Sequence, residues 1–196
     1  MPAYFSLDTF FKPVIYDGFV KDIYNKVIES GFDFVSGVNE AKDMTFDELC
    51  IYNEGLLRSR FQLRLDQLAS EGYKQVYFQH KEFTSIRCFW IHCDEYIMFS
   101  LIVPEADIIK YDMREYSFVE DKLKLLISTA TKLMNLKNSL VVQTSREISD
   151  GSFELNEVEN NNLSVDPFAY VNSDNVKFNI EGYNFAIAGN LIYFYV

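Results

Sequence analysis

Apolar residues recur along the chain with two spacings, and each spacing predicts a different element. From Asp17 to Ser30, Phe19, Ile23 and Val27 repeat alongside Val20, Tyr24 and Ile28. That is the spacing of one helical face, with Asp17 placed to cap it and Gly31 to stop it. A second helix is expected within 46–71. Thr45 and Glu48 form a capping box ahead of it, in which hydroxyl and carboxylate each satisfy an exposed backbone amide. Leu57, Phe61, Leu65 and Leu68 are its apolar stripe, Gly72 its end, and Gly55 a point where it could split. A third is expected from Ser117 to about Lys137. There Ser117 and Glu120 repeat the capping pattern, and Val119, Leu123, Leu126, Ala130 and Leu133 line one side.

Between and after the helices the spacing shortens to that of strands. The runs at 74–83, 85–93 and 96–104 are rich in aromatic and β-branched residues and are separated by few positions, which predicts an antiparallel meander. The run at 139–148 follows the third helix as another strand. The segment 176–196 reads as two or three more, with turns at Glu181-Gly182 and Gly189-Asn190. The last of these is apolar on both faces, as an interior strand would be. The fold class expected is α+β: a largely antiparallel sheet of six to eight strands packed against three amphipathic helices. A mixed sheet follows if the passage from 96–104 through the third helix to 139–148 is a right-handed crossover.

Composition agrees with a single globular domain over 1–196. Hydrophobic residues make up 48% of the 196, with eighteen Phe and thirteen Tyr, too much apolar matter for a disordered chain. The segment 149–167 lacks periodicity, holds three consecutive Asn and closes on Pro167, so it is expected to be an exposed acidic loop. The sequence shows no basic leader followed by an apolar core and no run approaching the ~20 residues of a spanning helix. Three cysteines, two in one apolar run, suit reduced thiols. The expected location is cytoplasmic.

Charge narrows the partners. The net charge is −11, and from Arg146 onward there are eight acids against two bases. Such a surface repels nucleic acid and anionic membrane, whose binding needs basic groups, and attracts a basic protein. Asp150, Glu154, Glu157, Glu159 and Asp166 are the candidate binding residues, because recognition favours loops on rigid scaffolds.

The one concentration of reactive side chains is Cys88 to Glu95, with two cysteines, His92 and the only tryptophan. Read as a strand, it puts Cys88, Trp90 and His92 on one face and Phe89, Ile91 and Cys93 on the other. Cys88 and His92 then stand about 13 Å apart, and adjacent His92 and Cys93 point apart. No metal site is expected, since zinc wants four converging ligands, and no cofactor motif is present. Catalysis would need a Cys/His pair, for which Cys88, His80 and His92 are the candidates. A tight hairpin could bring His80 opposite Cys88 or Phe89. Arg58, Arg60 and Arg64 are a weaker anion-binding candidate, and Asp43, Asp47 and Glu48 an ordinary acidic first turn. The expectation is a non-catalytic protein-binding protein, most concretely a bacterial immunity protein that neutralises a basic toxin. The alternatives are an enzyme of unrecognised type and a self-assembling structural component.

Overall fold

The stretch Tyr4–Phe11 alternates Phe5, Leu7 and Thr9 with Ser6, Asp8 and Phe10, and it forms the central strand of the molecule. A computed structural model describes residues 3–59, 75–92, 95–112, 115–147 and 163–196. After β1 (Tyr4–Phe11) come α1 (Phe19–Glu29), β2 (Asp33–Gly37), a 3-10 turn at Asn39–Ala41 and α2 (Phe46–Arg58). The meander β3 (Val76–His80), β4 (Phe83–His92) and β5 (Ile97–Pro104) leads into a short α3 (Glu105–Ile108) and the hairpin β6 (Ile109–Asp112) and β7 (Glu115–Phe118). Then follow α4 (Glu120–Met134), β8 (Ser139–Arg146), β9 (Phe168–Asn172), β10 (Asn184–Ala188) and β11 (Leu191–Tyr195).

The class is α+β, with one large antiparallel sheet in the order β10-β11-β9-β8-β1-β5-β4-β3-β2. Nine strands replace the expected six to eight. The additions are β1, whose Ser6, Asp8 and Thr9 break its apolar run, the five-residue β2, and β9, which falls between the expected loop and the segment 176–196. Every strand pairing in the sheet is antiparallel. The passage from β5 to β8 does join two strands of like direction, but β1 lies between them and is antiparallel to both.

Four α-helices are present among the described residues, because α3 adds a single turn at the end of β5. Helix α2 starts with the expected capping box: Glu48 N–H donates to the Thr45 hydroxyl, and Thr45 N–H donates to the Glu48 carboxylate. It runs through Gly55 without a break. The continuation expected from 60 to 71 lies outside the described residues. The other two caps differ from expectation. Helix α1 begins at Gly18, whose positive φ of 83° no side chain rewards locally. Its amides at Gly18 and Val20 donate instead to the carboxylate of Glu54 on α2, each at 3.4 Å, so the cap is tertiary. Ser117 is taken by β7, where it pairs with Lys110, and α4 starts at Glu120 with no side-chain cap.

The sheet carries a core on each face. Helices α1, α2 and α4 cover one, burying Phe5, Leu7 and Phe11 of β1 with Val76, Cys88, Trp90 and Phe99. At its centre the buried Tyr24 hydroxyl accepts the indole N–H of Trp90 at 2.7 Å and the Asn53 side-chain amide at 2.9 Å. An indole can only donate, so Tyr24 is the partner that lets Trp90 be fully buried. On the opposite face, Phe10, Val141, Ala169, Val171, Ile192 and Phe194 form a second, smaller core. The segment 176–183 roofs it with Val176, Phe178, Ile180 and Tyr183. Strand β11 is interior to the sheet, but only Ile192 and Phe194 are buried while Leu191 and Tyr193 are half-buried.

Candidate functional site

The hairpin register decides the fate of the Cys/His pair. Val76, not His80, is opposite Cys88, and His80 pairs with Phe83 beside the turn. His80 is therefore four residues along from the position facing Cys88, a separation of about 13 Å. Its ring packs against Phe32 and Phe83, and its Nδ1 accepts the N–H of Glu82 at 3.2 Å. His92 shares the face of Cys88 and Trp90, as alternation requires, with Trp90 between them. It is buried, with Nδ1 2.7 Å from the Leu57 carbonyl oxygen. A carbonyl can only accept, so Nδ1 carries the proton there.

Cys88 has no exposed surface, and burial alone pushes its thiol well above the ordinary range. Nucleophilic cysteines need the opposite, an exposed and cationic setting that favours thiolate. Cys50 is also buried, and desolvation together with Asp47 raises its thiol to about 12. Cys93 lies outside the described residues. Among the described residues no group of three or more His, Cys, Asp or Glu side chains is placed to hold a metal ion. None of their helices is long and apolar enough to cross a membrane.

Asp150, Glu154, Glu157 and Glu159 lie outside the described residues. Asp166 does not: its carboxylate accepts from Arg146 Nε at 2.5 Å. The end of the expected loop is tied down as well. Leu163 and Ser164 are buried, the Ser164 hydroxyl donates to the Thr144 carbonyl, and Val165 bridges Thr144. Residues 163–167 of the expected exposed loop are buried or half-buried, and Asp166 is engaged by Arg146.

Two grooves of the described surface meet along α2. Leu49, Cys50, Asn53 and Leu57 face the core. Ile51 is turned about 200° from Leu49 at helical pitch, and it is 75% exposed. It is the ridge between two grooves. The first, of about 530 Å³, runs along the junction with α1 and contains Lys21, Asp47, Glu54 and Arg58. Its charges are matched: Lys21 pairs with Asp47 at 2.8 Å, and Arg58 with Asp17 at 2.7 Å and Glu54 at 3.0 Å. The second, of about 540 Å³, is lined by Glu40, Asp43, Met44, Glu48, Ile51 and Tyr52, three acids and no base. Arg58 is thus committed to neighbouring carboxylates; Arg60 and Arg64 lie outside the described residues.

Gly55 sits one turn beyond Ile51, and a Cβ there would meet nothing within 4 Å. A glycine inside a helix costs roughly 1 kcal/mol relative to alanine, and no contact among the described residues requires it here. Two signals of this face were present in the sequence: an isoleucine out of phase with the apolar stripe, and a helix-interior glycine one turn later. Comparison of the chain with protein-family models, curated proteins and solved structures finds no match.

Proposed function

We propose that this is a non-catalytic binding protein whose acidic surface engages a basic protein partner. In its most concrete form it is a bacterial immunity protein that neutralises a toxin enzyme. The observation that carries the reading is the outer face of α2, where exposed Ile51 borders a groove rimmed by Glu40, Asp43 and Glu48. An apolar residue with three carboxylates and no base along one side matches a partner side chain that is apolar at its centre and basic at that edge. The carboxylates steer the encounter, while the desolvated Ile51 supplies the contact that holds it. The net charge of −11 adds long-range attraction to the same class of partner.

The test is parallel affinity capture from the native host with wild-type protein and the Ile51→Asp variant. Wild type should retain a stoichiometric basic protein that the variant loses, by about tenfold or more in affinity, the scale of one interface anchor. Retention of the same partner by both proteins would remove this face from the proposal. A retained partner that is acidic, or a nucleic acid, would overturn the reading itself.

A further inference from the structure

The two edges of the sheet are guarded very differently. Strand β2 begins with the charge of Asp33 and is bulged between Phe34 and Ser36. At its end the 3-10 turn folds so closely over Gly37 that a Cβ would lie 2.5 Å from the Ala41 carbonyl oxygen. Charge, bulge and cover are the usual defences of an edge strand. Strand β10 has none of them. Its sequence, Asn184-Phe-Ala-Ile-Ala188, holds neither charge nor proline, and all five residues are exposed. Among the described residues no strand pairs with its outer side.

The chain from β10 onward is equally neutral, with Asp174 the carboxylate that reaches its far turn, where it accepts from the Asn190 side chain. No charged side chain occurs from Gly182 to Val196, in a chain with a net charge of −11. Phe185 and Ile187 project on one face, the latter 62% exposed, and Phe185 lies against Phe194. On the other face Ala186 and Ala188 are too small to hide the rings opposite and beside them, and Tyr195 is 42% exposed. The result is an unpaired row of backbone N–H and C=O groups with apolar side chains above and below it.

We propose that β10 pairs with β10 of a second copy of this chain, antiparallel about a two-fold axis at Ala186, giving a weak homodimer with one continuous sheet. The strand is self-complementary in that register. Phe185 of each copy meets Ile187 of the other on one face, and on the other face Asn184 meets Ala188 while Ala186 meets Ala186. Two copies of an acidic chain repel over most of their surfaces, so an uncharged edge is where they can meet without opposing carboxylates. Five strand residues and their flanking rings make a small interface, and small interfaces are transient. The α2 face lies toward the β2 end of the sheet and stays open in this dimer, so the proposal stands independently of the partner proposed above.

The experiment is sedimentation equilibrium over a concentration series, with Ala186→Glu and Ala186→Lys beside the wild type. Wild type should pass from monomer to dimer. Each variant sets like charges directly across the axis and should weaken self-association about fivefold or more, the effect of roughly 1 kcal/mol. An equimolar mixture of the two should recover the dimer as a heterodimer, which also establishes that both variants fold. In the wild type alone, hydrogen exchange at the β10 amides should slow as concentration rises. A wild type that stays monomeric, a dimer indifferent to Ala186→Glu, or an open-ended polymer would each overturn the proposal.

Discussion

The two faces of β1 show how differently one strand can be held. Toward the helices it presents Phe5, Leu7 and Phe11 to a large aromatic core. Toward the other side it presents Phe10 to the smaller core, and beside it a row of hydroxyls around a carboxylate. Asp8 accepts from Ser100 at 2.5 Å and from Ser6 at 2.8 Å, and Ser6 bonds Ser145 at 2.9 Å. The first face is held by apolar area and shape. The second depends on hydrogen bonds to a group whose charge is costly where it sits, since burial raises the Asp8 carboxyl above the ordinary aspartate value against the pull of those two hydroxyls. The lesson is that heat and pH should probe the two faces separately.

The largest effects come from emptying each core. Trp90→Ala removes the most voluminous fully buried side chain and leaves Tyr24 without its indole donor. About 3–5 kcal/mol of stability should be lost in urea denaturation. Phe194→Ala on the opposite face should cost about 3 kcal/mol, because its core is smaller and borders the exposed β10. If both faces unfold together, each variant shifts one common transition. Two separable transitions in Phe194→Ala would show that β9, β11 and β10 are an independently melting unit.

Asp8 sharpens the contrast next. With its folded pKa raised, the folded protein binds this proton more tightly than the unfolded chain does. Its contribution to stability is therefore fully present below the unfolded value of about 3.9, and it is lost as pH rises through the folded value. Asp8→Asn keeps a polar group against Ser6 and Ser100 and cannot ionise. It should gain on wild type as pH rises from about 4 and level off above the folded value, read as the difference in denaturation midpoints. A difference that does not vary with pH would mean that Asp8 is not buried as described.

Gly55→Ala should stabilise by about 0.5–1 kcal/mol, since the helix gains propensity and the added methyl meets no neighbour. The smallest effect is expected for Ile51→Asp, whose thermal stability should stay within about 0.5 kcal/mol of wild type because the side chain is already in solvent. A large loss there would place Ile51 in the core rather than on a binding face.

How much of this was legible in the sequence follows the range of the forces involved. The capping box of Thr45 and Glu48, the meander and the β10–β11 turn at Gly189-Asn190 depend on neighbours in sequence, and they were readable. The cap of α1 was not, because Glu54 reaches it from another helix and Asp17 turns to Arg58. Ser117 had two possible uses, and strand pairing with Lys110 prevailed over capping. β1 was hidden because its apolar run is broken by Ser6 and Asp8, whose partners Ser145 and Ser100 stand on strands far along the chain. The faces of Cys88 and His92 followed from alternation, but the distance from Cys88 to His80 hung on a register with a bulge between Phe78 and His80 that no local pattern records.

The central place of β1 also bears on how the chain reaches this structure. Leu7 is made before either of its partners, Leu101 on β5 and Thr144 on β8. The meander β3–β4–β5 can zip through short turns, whereas β1 must close two long loops, and closing long loops is slow. Until β8 has been synthesised, an aromatic strand with at least one edge bare has to be kept from other chains. Pulse-labelled refolding should therefore protect the amides of β4 and β5 first, with those that join β1 to β8 protected last. The middle of the sheet is where folding finishes.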